Sequence, residues 1–249
     1  RYPDGGTVLL TPKAIGDLYR TPGVLLGTAT HTDPFRVRTI NDENAVEEVD
    51  RSEELLQAIQ AQQIQAVISV VGGRALSILF KLHRKGLKTI CVPKSVENEI
   101  AATQLSFGFN SALSFATEIL DRARQAAESA RKIAVVEVLG EHAGWLALQA
   151  GIAVCADAIL IPEVPYDLTV VATSLRSGIQ AGRRSALVVV AEGAVPAALR
   201  GVGEKSFDAM KASLSPGATG HSGGHVIDRS GYVAKSIATQ LQSLTDHET

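Results

Sequence analysis

Residues 66–93 read AVISVVGGRALSILFKLHRKGLKTICVP and hold a strand, a helix and a second strand in succession. The apolar, β-branched run 66–71 has strand composition, and Gly72 and Gly73 punctuate its end. From 74 to 85, Leu76, Leu79, Phe80 and Leu82 supply the apolar side of a helix. A short strand over 86–93 follows, and Pro93 is expected to stop it.

The same alternation extends both ways. Upstream, 23–27 reads as a short apolar strand or turn, and 52–62 as a helix whose start resembles a capping box. Downstream come a helix over 110–130, a strand over 133–138, a helix over 144–154 and a strand over 158–161 that ends at Pro162. A helix over 168–181, a strand over 186–190 and a final helix over 230–244 complete the pattern. Near-continuous apolar strands separated by amphipathic helices predict an α/β fold with parallel strands covered on both faces. The stretch 194–229 breaks the rhythm with Pro196, Pro216 and GATGHSGGH at 217–225, and reads as a mobile connection.

Composition narrows the function classes. The 249 residues are 45% hydrophobic and 20% charged, as in ordinary globular chains, and suit one large α/β domain or two lobes sharing a cleft. A net charge of −2 and a pI near 6.3 give no reason to expect nucleic acid or an acidic membrane as partner. There is no membrane-length apolar run and no signal-peptide pattern at the start, so a cytoplasmic protein is expected. Cys91 and Cys155 sit in apolar surroundings and read as buried thiols rather than a disulfide or metal site. Arg1 stands where a methionine would open a chain, and 242–249 stops in polar residues after a helical pattern, so further chain is expected on both sides.

In open parallel sheets, ligands collect outside the carboxyl ends of the strands. Gly72 and Gly73 lie there and open a helix, a turn that serves phosphate binding about as often as it merely solves a steric problem. One unit later Lys94, Ser95, Glu97, Asn98 and Glu99 occupy the same place, and after the next strand Leu139, Gly140, Glu141 and His142. These three polar loops are expected to converge on one crevice, with Glu192, directly after a further strand, as an added contribution. Each glutamate alone would read as solvated or capping; repetition at successive strand ends favours a site. His142 reads as structural and Trp145 as core; the spacing of His221, His225 and Asp228 suggests metal ligation, but their irregular loop argues against it.

These loops bring a specific resemblance into view. Gly72-Gly73, PKSVENEI at 93–100, FGFNSA at 107–112, VVEVLGEHAGW at 135–145, PEVP at 162–165 and VVVAEG at 188–193 follow, in order, the motifs of the 6-phosphofructokinase family. GVLLGT at 23–28 resembles its preceding glycine-rich turn. The resemblance implies a phosphofructokinase-like α/β fold of parallel, Rossmann-like sheets with helices on both faces, in two lobes around a cleft. The lobes are expected over 1–105, binding donor phosphate, and 106–249, binding sugar phosphate. It further implies transfer of a phosphoryl group from ATP or pyrophosphate to the 1-hydroxyl of fructose 6-phosphate, with Mg2+ as cofactor, in a homodimer or homotetramer.

By the same resemblance Glu97 stands at the catalytic base, where the family has aspartate, Ser95 at a threonine and Glu99 at a second aspartate. Leu139 and Gly140 match positions that contact the sugar phosphate, Glu192 matches the sugar-binding glutamate, and Lys132 an arginine that reaches across a subunit interface. Gly72, Gly73, Arg74 and Lys94 fall on the donor-phosphate side; Lys94 matches a lysine associated with pyrophosphate-type and related members. Three positions depart from the family pattern: Arg74 replaces a magnesium-binding aspartate, Glu141 replaces an arginine, and Thr30 stands where an arginine is usual. Three readings therefore stay open: a phosphofructokinase-type kinase, a catalytically impaired relative serving as a sugar-phosphate-binding or regulatory subunit, and a related kinase acting on another alcohol.

Overall fold

The computed structural model describes residues 9–16, 32–40, 44–199 and 231–249. In chain order its elements are α1 (Pro12–Ile15), β1 (Val37–Ile40), β2 (Val46–Val49), α2 (Ser52–Ala61), β3 (Val67–Val71), α3 (Gly73–Arg84), β4 (Thr89–Ser95) and β5 (Phe107–Gly108). There follow α4 (Phe109–Ala130), β6 (Ile133–Val138), α5 (Trp145–Ala153), β7 (Ala158–Leu160), α6 (Leu168–Gln180), β8 (Ala186–Ala191) and α7 (Tyr232–Thr245). The expected strand or turn at 23–27, Thr28, Thr30, His221, His225 and Asp228, and most of 194–229, lie outside the described residues.

Two compact units divide between Val92 and Pro93, earlier in the chain than the lobe limit of 105–106 read from the sequence. In the first, β1 and β2 form an antiparallel hairpin and β3 lies beside β4. One face of β3 is covered: Leu56 of α2 and Leu82 of α3 are buried with Leu87, and Phe35, Leu55, Ile59, Val67, Ile78 and Leu79 pack around them. The other face differs from expectation. Ile68, Val70 and Ile90 are 71%, 57% and 62% exposed, so among the described residues β3 and β4 are covered on one side only.

The second unit has the expected parallel sheet covered on both faces. Its sheet runs β6-β8-β7, all parallel, with β8 central and buried along its whole length. Alternate residues serve opposite faces: Ile133, Val188 and Val190 join α6 and α7, while Leu187 and Val189 join α4 and α5. A fully buried valine contributes about 1.5–3 kcal/mol, so this strand anchors the unit. Glu137 of β6 reaches across to accept the Ala234 N–H at 2.9 Å and caps the start of α7, whose N-cap Gly231 has no side chain to do so.

Three local expectations fail for physical reasons. Pro93 does not stop β4, which continues to Ser95; the pairing with β5 begins only at Lys94, so the missing N–H of Pro93 leaves no rung unmade on that side. Trp145 is 46% exposed because it is the first residue of α5 and stands outside the buried stripe of Leu146, Ala147, Ala150 and Gly151. Cys155 is exposed and Cys91 half-buried; Cys155 turns the chain after α5 with φ 53°. No helix among the described residues is long and apolar enough to cross a membrane.

Candidate active site

The site begins with strand register. Val138 pairs with Ala191, so the turns that leave β6 and β8 emerge side by side. They are then stitched together: the Glu192 N–H donates to Val138 O at 3.0 Å, the Gly193 N–H to Gly140 O at 3.0 Å, and the Gly140 N–H to Glu192 Oε1 at 3.5 Å. Gly193 permits this approach, since a Cβ there would lie 2.0 Å from the carbonyl oxygen of Glu141. Gly140 is equally constrained, with φ 147° and room for no Cβ beside Ala143 O.

The loop after β4 supplies the other acids. Ser95 Oγ accepts the Glu97 N–H at 3.0 Å and donates to the Glu99 carboxylate, which folds the chain back on the strand end. Glu97 points the other way, and its Oε2 accepts the Glu141 N–H at 3.2 Å. Between them Asn98 takes a left-handed backbone, φ 58°; its Oδ1 accepts the Ser106 N–H at 2.8 Å and its Nδ2 donates to Gln104 O at 3.2 Å.

The structure thus brings Ser95, Glu97 and Glu99 together with the Leu139–Gly140–Glu141 turn and Glu192. Glu97 is half-buried, whereas Glu99 and Glu141 are exposed. A half-buried carboxylate held by a backbone N–H has a fixed direction. Lys94 is exposed beside Phe107. Lys132 lies apart, before the first residue of β6, where its Nζ pairs with Glu248 at 2.6 Å.

Of the expected donor-side residues, Gly72, Gly73 and Arg74 lie in the first unit and Lys94 in the second. Gly72 caps α3 with extended backbone, φ −88° and ψ 177°, and its carbonyl receives the Leu76 N–H at 3.0 Å. Gly73 and Arg74 are exposed, and a Cβ on Gly73 would meet nothing within 4 Å, so packing within the chain does not demand a glycine there.

Two residues of the site carried no assigned role in the sequence reading. The carboxamide of Asn98 was part of a quoted motif, but only the fold shows what it ties. Glu163, whose Oε1 accepts the Gly144 N–H at 2.8 Å and so fixes the exit of the 139–144 turn, was hidden in a proline-flanked segment.

Comparison with known proteins decides the family. The Phosphofructokinase family matches residues 4–249. The chain belongs to the phosphofructokinase family. It is 34% identical over 189 residues to the ATP-dependent 6-phosphofructokinase 2 of Clostridium perfringens, an alignment covering 76% of this chain and 52% of that protein. It is 38% identical over 175 residues to the pyrophosphate–fructose 6-phosphate 1-phosphotransferase of Amycolatopsis methanolica, covering 70% and 47%. The crystal structure of the pyrophosphate-dependent phosphofructokinase from Marinobacter aquaeolei has the same fold, with a TM-score of 0.66 at 21% identity over 96% of this chain and 52% of that one. The chain spans about half the length of the curated relatives it matches.

Phosphofructokinases generally use Mg2+, and the residues of this chain do not fit that ion at the expected place. The turn after β3 offers glycine, glycine and Arg74, with no carboxylate oxygen for a hard cation that binds through carboxylates and phosphates. Among the described residues no group of three or more His, Cys, Asp or Glu side chains is arranged to hold a metal.

Proposed function

We propose that this chain forms part of a phosphotransferase that moves a phosphoryl group from ATP or pyrophosphate to the 1-hydroxyl of fructose 6-phosphate. The observation that carries the reading is the bond from the Glu141 N–H to Glu97, which sets a directed carboxylate against the turn matched to sugar-phosphate contact. Glu97 takes the proton of the hydroxyl as that oxygen attacks the terminal phosphorus, and the bond to ADP or phosphate breaks. Leu139, Gly140 and Glu192 hold the sugar; Ser95 and Glu99 shape the loop that presents Glu97. Gly72, Gly73, Arg74 and Lys94 meet the donor phosphates, with Arg74 contributing fixed positive charge. Lys132, at the far end of β6, is suited to a neighbouring copy's site in a homodimer or homotetramer. The proposed setting is the cytoplasm.

A second reading, a sugar-phosphate-binding or regulatory subunit with impaired catalysis, draws support from the charge at the site. Glu97, Glu99, Glu141 and Glu192 gather at these strand ends, and Glu141 stands where the family resemblance expects a cation. The two are separated by an assay on the purified full-length protein with fructose 6-phosphate, each donor in turn, and detection of fructose 1,6-bisphosphate. Turnover supports the transferase; sugar-phosphate binding without turnover on either donor supports the regulatory reading.

A further inference from the structure

We infer that Asn98 is a positioning residue that aims Glu97, an inference resting on the proposal that Glu97 is the base. The loop 96–106 has no helix or strand of its own, yet it must hold two glutamates in opposite directions. Its ends are fixed by the pairing of Lys94 with Phe107 and Ser95 with Gly108. Beyond the bonds of Ser95 to Glu97 and Glu99, one carboxamide ties the first half of the loop to its end: Asn98 Oδ1 takes the Ser106 N–H at 2.8 Å and Asn98 Nδ2 gives to Gln104 O at 3.2 Å.

Ser106 is 2% exposed, and its carbonyl accepts the Phe109 N–H at 3.3 Å in the first turn of α4. Phe109 is itself 1% exposed, and α4 is seated in the core through Leu120. A rigid path therefore runs from the core through α4 and Ser106 to the side chain of Asn98. Its left-handed φ of 58°, which asparagine tolerates better than most residues, reverses the chain at that point. Glu97 before it then faces Glu141, and Glu99 after it folds back to Ser95. Reaction geometry is sensitive to displacements of about 1 Å, which cost roughly 100-fold in rate. Loss of the carboxamide lets the loop move by that order while the sugar-binding turn stays pinned by its own hydrogen bonds to Glu192 and Gly193.

The test uses the full-length protein with Asn98→Gly, which keeps the left-handed backbone without strain and removes only the carboxamide, and Asn98→Asp, which keeps the acceptor for Ser106 N–H. Asn98→Gly is expected to lower kcat about 10–100-fold with KM for fructose 6-phosphate within about twofold, and Asn98→Asp to recover part of that loss. The deciding arm is the same substitution in a Glu97→Gln background. A residue acting through Glu97 costs nothing further there, whereas a merely structural residue costs the same factor in both backgrounds. Equal losses in the two backgrounds, or a loss confined to KM, overturn the positioning role alone. A wild-type protein that binds fructose 6-phosphate but turns over neither donor overturns the proposed reaction, and this role with it.

Discussion

The carboxylate of Glu97 receives the backbone N–H of Glu141 at 3.2 Å, joining two loops 44 residues apart. Neither loop alone makes a site. The β4 loop brings an acid and the β6 turn brings the backbone that directs it. Because the β6 turn is bound in turn to Glu192 and Gly193, the acid is referenced to β8, which is buried along its whole length.

Gly193→Ala separates the two turns. The added Cβ would meet Glu141 O at 2.0 Å, and the obstacle is backbone, which has no rotamer to change. Overpacking of this kind costs about 1–3 kcal/mol, so the thermal unfolding midpoint is expected to fall. Fructose 6-phosphate affinity is expected to fall with it, measured by calorimetry below the transition. An unchanged affinity would show that the turn does not hold the sugar.

Arg74→Asp reverses the charge offered to donor phosphate. Pyrophosphate affinity measured by calorimetry in the presence of a chelator is expected to drop at least about tenfold, with Arg74→Lys retaining most of it. The wild-type affinity is expected to be nearly the same with and without Mg2+, because no carboxylate at this turn recruits the ion. A wild-type affinity that collapses on chelation would contradict this account of the donor side.

Asp167 gives a pH dependence whose sign is fixed. It caps α6, and hydrogen bonds from the Thr169 hydroxyl and backbone hold its carboxyl below the usual value. A carboxyl depressed in the folded state stabilises above its unfolded pKa, and that contribution is lost as pH falls through the folded value. The melting midpoint is thus expected to decline below about pH 4. Asparagine caps a helix as well as aspartate does, so Asp167→Asn should leave the neutral midpoint in place and lessen the acid decline. Identical acid profiles for the two proteins would remove Asp167 from the cause.

Much of the second unit was legible in the sequence because local pattern and tertiary burial agree there. Strand 133–138 was read with the bounds it has, and α4, α5, α6 and α7 begin within two residues of expectation. The first unit was less legible. The β1–β2 hairpin went unread because its strands have four residues each, β2 is exposed throughout, and the polar stretch between them resembles any loop. The open face at Ile68, Val70 and Ile90 was equally hidden, since apolar residues announce a preference for burial and not what covers them.

Of the site, sequence pattern placed the acids at strand ends but not their partners. Ser95 and Glu99 are four residues apart, so their contact was within reach of local reasoning. The bonds from Glu141 to Glu97, from Gly140 to Glu192 and from Ser106 to Asn98 depend on strand register and loop path, which residue order does not encode locally. Lys132, matched to an arginine that reaches across a subunit interface, lies at the far end of β6 and pairs with Glu248, a partner that residue order did not announce either.

The central claim is that Glu97 removes the proton from the sugar hydroxyl. It is tested most directly by following phosphoryl transfer to fructose 6-phosphate in a single turnover, comparing the full-length wild-type protein with Glu97→Gln. A positioned general base contributes about 100- to 10,000-fold. The transfer rate is therefore expected to fall by at least about 100-fold while the sugar-phosphate dissociation constant stays within about twofold, because Gly140 and Glu192 are untouched. A variant that transfers phosphate at the wild-type rate would contradict the account.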